Sequence, residues 1–140
     1  MKAQIETQWR EQLDVSSKCL FYKNYKSNIV REPFLYQLPE RFVVPLIKFR
    51  CNNHKLPIEQ GRKFGIPRQD RLCRNCEMDV VGDEFHLIME CPAYRGERVK
   101  YIPTRFRQVK STYNFCSLIG NKSKGVMLKL AKFLIETKTV

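Results

Sequence analysis

Four residues in this chain have the types and spacing to hold a metal ion. Cys73-Arg74-Asn75-Cys76 is a C-x2-C pair, and His86 and Cys91 complete the string C-x2-C-x9-H-x4-C. Three thiolates and one imidazole form a full tetrahedral donor set for zinc. The two-residue gap lets the chain turn tightly and aim both sulfurs inward. Leu72 and Gly82 suit a turn and return around that gap. No ligand position is left for water, so one structural Zn2+ is the expected cofactor and no catalysis is expected from it. The competing reading is four unrelated buried residues, with His86 an ordinary core histidine.

The ligands impose a geometric condition. Residues five apart on a straight α-helix lie about 140° apart around its axis, so His86 and Cys91 could not share an ion from one such helix. Pro92 suggests a solution. A helix opening at Pro92 makes Cys91 its N-cap, and its positive end would favour the thiolate. His86 is then expected from a separate turn, with Phe85, Leu87, Ile88 and Met89 forming a small satellite core around the site. Asp83, Glu84 and Glu90 read either as surface residues or as acceptors for the imidazole N–H. Residues 72–95 hold too few large apolar groups to fold alone, so metal is expected to contribute heavily to stability, on the order of 10 kcal/mol.

Other chemistry is sparse. Cys51 and His54 form a second Cys-x2-His pair, but only the isolated Cys19 and Cys116 remain to complete it, and these four read as buried or bystander residues. The order of ligands is wrong for a zinc deaminase, which needs His-x-Glu ahead of Pro-Cys-x2-Cys. No P-loop, Gly-x-Ser-x-Gly or His-Glu-x2-His is present. An enzyme is not expected.

Charge points to a partner. The chain has 140 residues and a net charge of +12, from 26 basic and 14 acidic side chains. The excess is concentrated. Residues 41–72 carry net +6 and residues 101–140 net +7, while 73–100, which hold the ligands, are net −2. Two basic blocks flanking an acidic middle favour nucleic acid over membrane. Candidate phosphate contacts are Arg62, Lys63, Arg68, Arg71 and Arg74 before and within the knuckle, and Arg105, Arg107 and Lys110 after it. A protein partner is the alternative, through apolar helix faces around Trp9 and Phe133. Hydrophobic residues make up 43% of the chain, enough to fold, and no window approaches a membrane span. Met1-Lys2-Ala3-Gln4-Ile5-Glu6 is not a signal peptide. An intracellular location is expected, the nucleus among the compartments.

Elements must position these groups, and the pattern predicts a mostly α fold organised around the knuckle. Ile5, Trp9 and Leu13 mark a first helix, and Leu20, Phe21, Tyr22 and Tyr25 an aromatic second. Pro33 and Pro39 stand at helix starts. Val43, Leu46, Ile47 and Cys51 fit one helix face, with Lys48 off it and Arg50 near its edge. Pro57 opens a helix over 57–64 that Gly65 closes in the left-handed conformation. Glu97 to Ile102 reads as helix up to Pro103. Ser123 caps a last helix with a stripe of Val126, Met127, Leu130, Phe133 and Leu134. Three segments follow: 1–40, an N-terminal helical segment; 41–105, a helix plus the knuckle region; 106–140, a basic segment with an amphipathic helix.

Several strings together carry a resemblance. Leu46-Ile47-Lys48-Phe49-Arg50, His54-Lys55-Leu56-Pro57-Ile58-Glu59 and Gly61-Arg62 precede the knuckle, and Gly82-Asp83-Glu84-Phe85-His86 and Glu90-Cys91-Pro92 follow it. This resembles the C-terminal zinc-binding region of non-LTR (LINE-like) retrotransposon reverse transcriptases, densely over about residues 40–105 and loosely to the ends. The resemblance implies a region that follows a polymerase thumb and helps hold template RNA or target DNA. Cys73, Cys76, His86 and Cys91 match that family's ligand positions. No paired-aspartate polymerase strand and no endonuclease signature is present, so the chain resembles the tail of such an element standing alone, as a fragment or a co-opted gene. A transposon remnant without further function is a third reading.

Overall fold

A computed structural model of the chain describes every residue except Cys19. The described residues form nine α-helices: α1 Lys2–Val15, α2 Tyr22–Tyr25, α3 Phe34–Gln37, α4 Glu40–Arg50, α5 Pro57–Lys63, α6 Arg95–Tyr101, α7 Thr104–Arg107, α8 Thr112–Ile119 and α9 Lys124–Glu136. Among the described residues, β-pairing is limited to one antiparallel bridge, Leu72 with Val81. None of the helices is long and apolar enough to cross a membrane. The mostly helical class expected from the sequence is what the chain adopts.

The last helix is the centre of the core. The Ser123 hydroxyl accepts from the Val126 N–H and starts α9. Its stripe buries Val126, Met127, Leu130, Ala131, Phe133 and Leu134. Helices α4 and α6 both pack on α9. Helix α8, not foreseen in the sequence, is capped by the Ser111 hydroxyl and adds Phe115, Leu118 and Ile119 to the same core. Phe115 meets Phe21 and Phe85 at ring-centroid distances of 4.9 and 5.7 Å, so the aromatic segment before α2 is a packing element. Helix α1 buries none of its residues; its Trp9 is half-buried, edge-on to Tyr22 at 6.3 Å.

Helix α4 differs from the expected face. Leu46 and Phe49 are buried, Val43 is half-buried, and Ile47 and Cys51 are exposed. The reason is Arg50, which lies inside instead of at the edge. Its guanidinium sits between the rings of Tyr25 and Phe34, 5.0 and 5.3 Å from their centroids, and 3.6 Å from Glu32. A planar, weakly hydrated cation can replace an apolar residue in such a slot, which an apolar/polar pattern does not anticipate. Glu32 also receives Lys26 and Lys122. Burial alone would raise its pKa, but hydrogen bonds from Lys122 and Lys26, with Arg50 nearby, outweigh it and lower the pKa to about 2.

Helix α5 ends as the sequence implies. The Gly65 N–H donates to the Arg62 carbonyl and the Ile66 N–H to the Gly61 carbonyl, with Gly65 at φ +67°. This is a Schellman turn, where a left-handed residue costs glycine no Cβ clash. Helix α5 and the connector 66–71 deliver the chain to the first ligand.

Candidate metal centre

The four cysteine and histidine ligand atoms lie within 4.8 Å of one another, so Cys73, Cys76, His86 and Cys91 can hold a metal ion. Two separations test the fit. Cys73 Sγ and Cys91 Sγ are 3.9 Å apart, and Cys76 Sγ and His86 Nε2 are 3.3 Å apart. A tetrahedron with metal–sulfur bonds of about 2.3 Å and a metal–nitrogen bond of about 2.0 Å has edges of about 3.8 and 3.5 Å. These two separations are close to opposite edges of such a tetrahedron, in a cluster whose ligand atoms all lie within 4.8 Å. No other such group of ligands occurs among the described residues.

Two arms bring the ligands together. The first is the knuckle, 72–82. The Cys73 N–H donates to the Val80 carbonyl and the Gly82 N–H to the Arg71 carbonyl, closing a short ribbon. Gly82 was expected to serve the turn, but its role is close approach. A Cβ there would lie 2.8 Å from Pro57 Cγ and 3.1 Å from Cys73 Cα, so only glycine lets the ribbon lie flat on the start of α5. The Ile58 N–H donates to the Gly82 carbonyl and completes the junction.

The second arm solves the His86–Cys91 spacing in a way the sequence reading did not foresee. His86 and Cys91 come from one continuous element, not from separate turns. Residues His86–Glu90 form a π-helical turn, and the Cys91 N–H donates to the His86 carbonyl at 2.7 Å. The wider i to i+5 turn brings the fifth residue back over the first, which an α-turn cannot do. Asp83 starts the turn by accepting from the His86 N–H at 2.9 Å. Pro92 ends it: Cys91 is the N-cap of the 3-10 turn Pro92–Tyr94 that leads into α6. Leu87, Ile88 and Met89 are at most 2% exposed and belong to the main core, so the expected satellite core does not exist.

Arg98 holds this turn together, and the sequence reading missed it. From α6 its guanidinium donates to the carbonyls of Ile88, Leu87 and Cys91 at 2.8, 3.1 and 2.7 Å. A π-turn that stops abruptly leaves carbonyls without helical donors, and a buried cation satisfies three of them. The only trace in the sequence is an arginine seven residues beyond a Cys-Pro step.

The surrounding groups divide their work. His86 Nδ1 is buried with no hydrogen-bond partner, and Glu90 Oε1 lies 3.9 Å away. With Nε2 facing the sulfurs, Glu90 is a charged neighbour of the imidazole and not its hydrogen-bond acceptor. Glu84, read alike with Glu90 in the sequence, does something else. It accepts from Asn52 at 2.6 Å and pairs with His54 Nε2 at 2.7 Å. The Leu56 N–H donates to His54 Nδ1, which assigns the His54 proton to Nε2. His54 is therefore a buried strap between the α4–α5 turn and the second arm, and Cys51 beside it is exposed.

Burial sets the protonation of the ligands. It lowers the pKa of His86, with Glu90 opposing and Arg98 assisting, so the imidazole is neutral and able to bind metal. Burial likewise pushes the Cys91 thiol up to about 12, against the hydrogen bond from the Ala93 backbone. The start of the Pro92 turn acts in the expected direction, its Ala93 N–H favouring the thiolate, but desolvation and the neighbouring Cys73 sulfur outweigh it. A bound cation would have to supply the ionisation.

The eight candidate basic residues fare unequally. Lys63, Arg74 and Lys110 are exposed without a carboxylate partner, and Arg105 is exposed over the Phe106 ring. Arg62 reaches Glu59 and Ser17, and Arg68 lies 3.7 Å from Asp83. Arg71 donates to the Ile66 and Ile58 carbonyls, and Arg107 to the Ile102 carbonyl and Thr104. The last two act in holding loops.

No protein-family model, no curated protein and no solved structure matches this chain.

Proposed function

We propose that the chain is a non-catalytic nucleic-acid-binding module built on one structural zinc ion, similar in role to the tail of a retrotransposon reverse transcriptase. Cys73, Cys76, His86 and Cys91 would hold the zinc, which supplies a cross-link and no open coordination position. Three thiolates with Zn2+ carry net −1, so the centre acts as a scaffold and the flanks make the contacts. The observation that carries the reading is unpaired charge in the segments that flank it in the chain: among the described residues, Lys63, Arg74 and Lys110 face solvent with no acidic partner. Arg62, Arg68 and Arg105 extend this set with weaker prior commitments, whereas Arg71 and Arg107 contribute through the loops they hold. Phosphate contacts of this kind give little sequence preference and a steep salt dependence. Fluorescence anisotropy with labelled RNA and DNA at rising salt tests this. Affinity should fall steeply with salt, and binding indifferent to salt would remove the proposal.

One feature favours a protein partner instead. A groove of about 280 Å³ between α4 and the end of α9 is lined by Val44, Pro45, Ile135 and Val140 together with Lys48, Lys55 and Lys138. Nucleic acid retained through purification, read from the 260/280 ratio, favours the first reading; a nucleic-acid-free homo-oligomer favours this one.

A further inference from the structure

Phe64 is anomalous. Its side chain is 80% exposed although it is a pure hydrocarbon ring. Tyr113 is equally exposed, but its hydroxyl suits water. Phe64 caps the last turn of α5, and the two Schellman hydrogen bonds immediately after it hold its backbone in place. The ring is thus presented outward from an ordered turn, where a polar residue would fit as well and cost less to solvate.

Its setting is cationic. Lys63 precedes it, exposed and unpaired. Arg71 lies across the base of the same turn, its Nε donating to the Ile66 carbonyl at 2.8 Å. Arg62, two residues before it, is anchored to Ser17. The carboxylate on this helix, Glu59, is buried and already committed to Arg62 and Lys18. An exposed ring with an exposed, unpaired lysine next to it suits a ligand that offers both a flat π-face and negative charge. An unpaired nucleotide offers both, whereas a duplex hides its base faces in its own stack.

Resting on the nucleic-acid reading above, we propose that Phe64 is a stacking platform for an unpaired base, with Lys63 beside it taking the phosphate, so that the module prefers single strands. Anisotropy with a labelled oligouridylate and with an RNA duplex of the same length, on the full chain loaded with zinc, tests it. The parent should bind the single strand more tightly. Phe64→Ala should lose roughly tenfold on the single strand and little on the duplex, Phe64→Trp should retain the affinity, and Lys63→Ala should weaken both ligands alike. Unchanged single-strand binding by Phe64→Ala, equal losses on both ligands, or failure of Phe64→Trp to restore affinity would overturn the platform while leaving the module a nucleic-acid binder. A parent that binds neither ligand at low salt overturns the underlying reading, and the platform with it.

Discussion

The two arms of the metal centre are built on opposite principles. The knuckle arm, 73–81, has no fully buried residue; Arg74, Asn75 and Glu77 face solvent and Met78 is 45% exposed. The turn arm, 84–91, buries Glu84, His86, Leu87, Ile88, Met89 and Cys91. One arm is held by a few hydrogen bonds, two closing the ribbon, one from the Ile58 N–H to Gly82 and one from Asn75 to the Tyr94 hydroxyl, besides the candidate ligands. The other is part of the hydrophobic core, strapped by His54 and braced by Arg98. The difference teaches where a metal would act. The turn arm forms one packed unit with the helical core through Leu87, Ile88 and Met89, so the metal's cross-link matters most for the ribbon. It would staple a weakly held ribbon onto that unit.

The largest effect should come from removing the metal. Hydrogen exchange before and after chelation, or in Cys76→Ser, should show the amides of Cys73 and Gly82 losing protection while those of Leu87 and Cys91 keep theirs. Equal loss in both arms would abolish the distinction. Breaking the turn arm should instead cost global stability. Arg98→Ala leaves the buried Leu87 and Ile88 carbonyls without their donor, the Cys91 carbonyl keeping the Tyr94 N–H, and should lower the unfolding free energy by about 2–3 kcal/mol, measured by denaturant titration. A loss confined to metal affinity would show that Arg98 merely tunes the ligands.

Smaller effects probe the junction and the ligand orientation. Gly82→Ala forces Pro57 and Cys73 apart and should cost about 1–2 kcal/mol, seen as a lower melting temperature together with a weaker metal affinity. A neutral outcome would mean that the ribbon can lift off α5 freely. Glu90→Gln should weaken metal binding about tenfold in a competition titration against a chromogenic chelator, with the fold unchanged. No change would show that the Glu90 charge does not act on the imidazole.

Much of the helical framework was legible in the sequence. The α9 stripe, its Ser123 cap, Pro57 opening α5 and Gly65 closing it are local features, and each is where pattern and stereochemistry place it. Helix α8 was missed although Ser111 caps it, because its short run of mixed residues carries no long period. On α4 the inward arginine defeated the pattern. Of the candidate phosphate contacts, the sequence could not separate exposed Lys63 from Arg71, whose guanidinium is used up by main-chain carbonyls.

The division at the site has a physical cause. Residue types and spacing alone named the four ligands, since sulfur and imidazole donors at such intervals have few other uses. They also required that His86 and Cys91 not share a straight α-helix, because rise and twist per residue are properties of the backbone. Only the tertiary structure decided how that requirement is met. A π-turn leaves carbonyls to be satisfied, and it is sustained here by Arg98 from a later helix and by core packing of Leu87, Ile88 and Met89. Those contacts join residues distant in the chain or buried by it, and no local spacing encodes them.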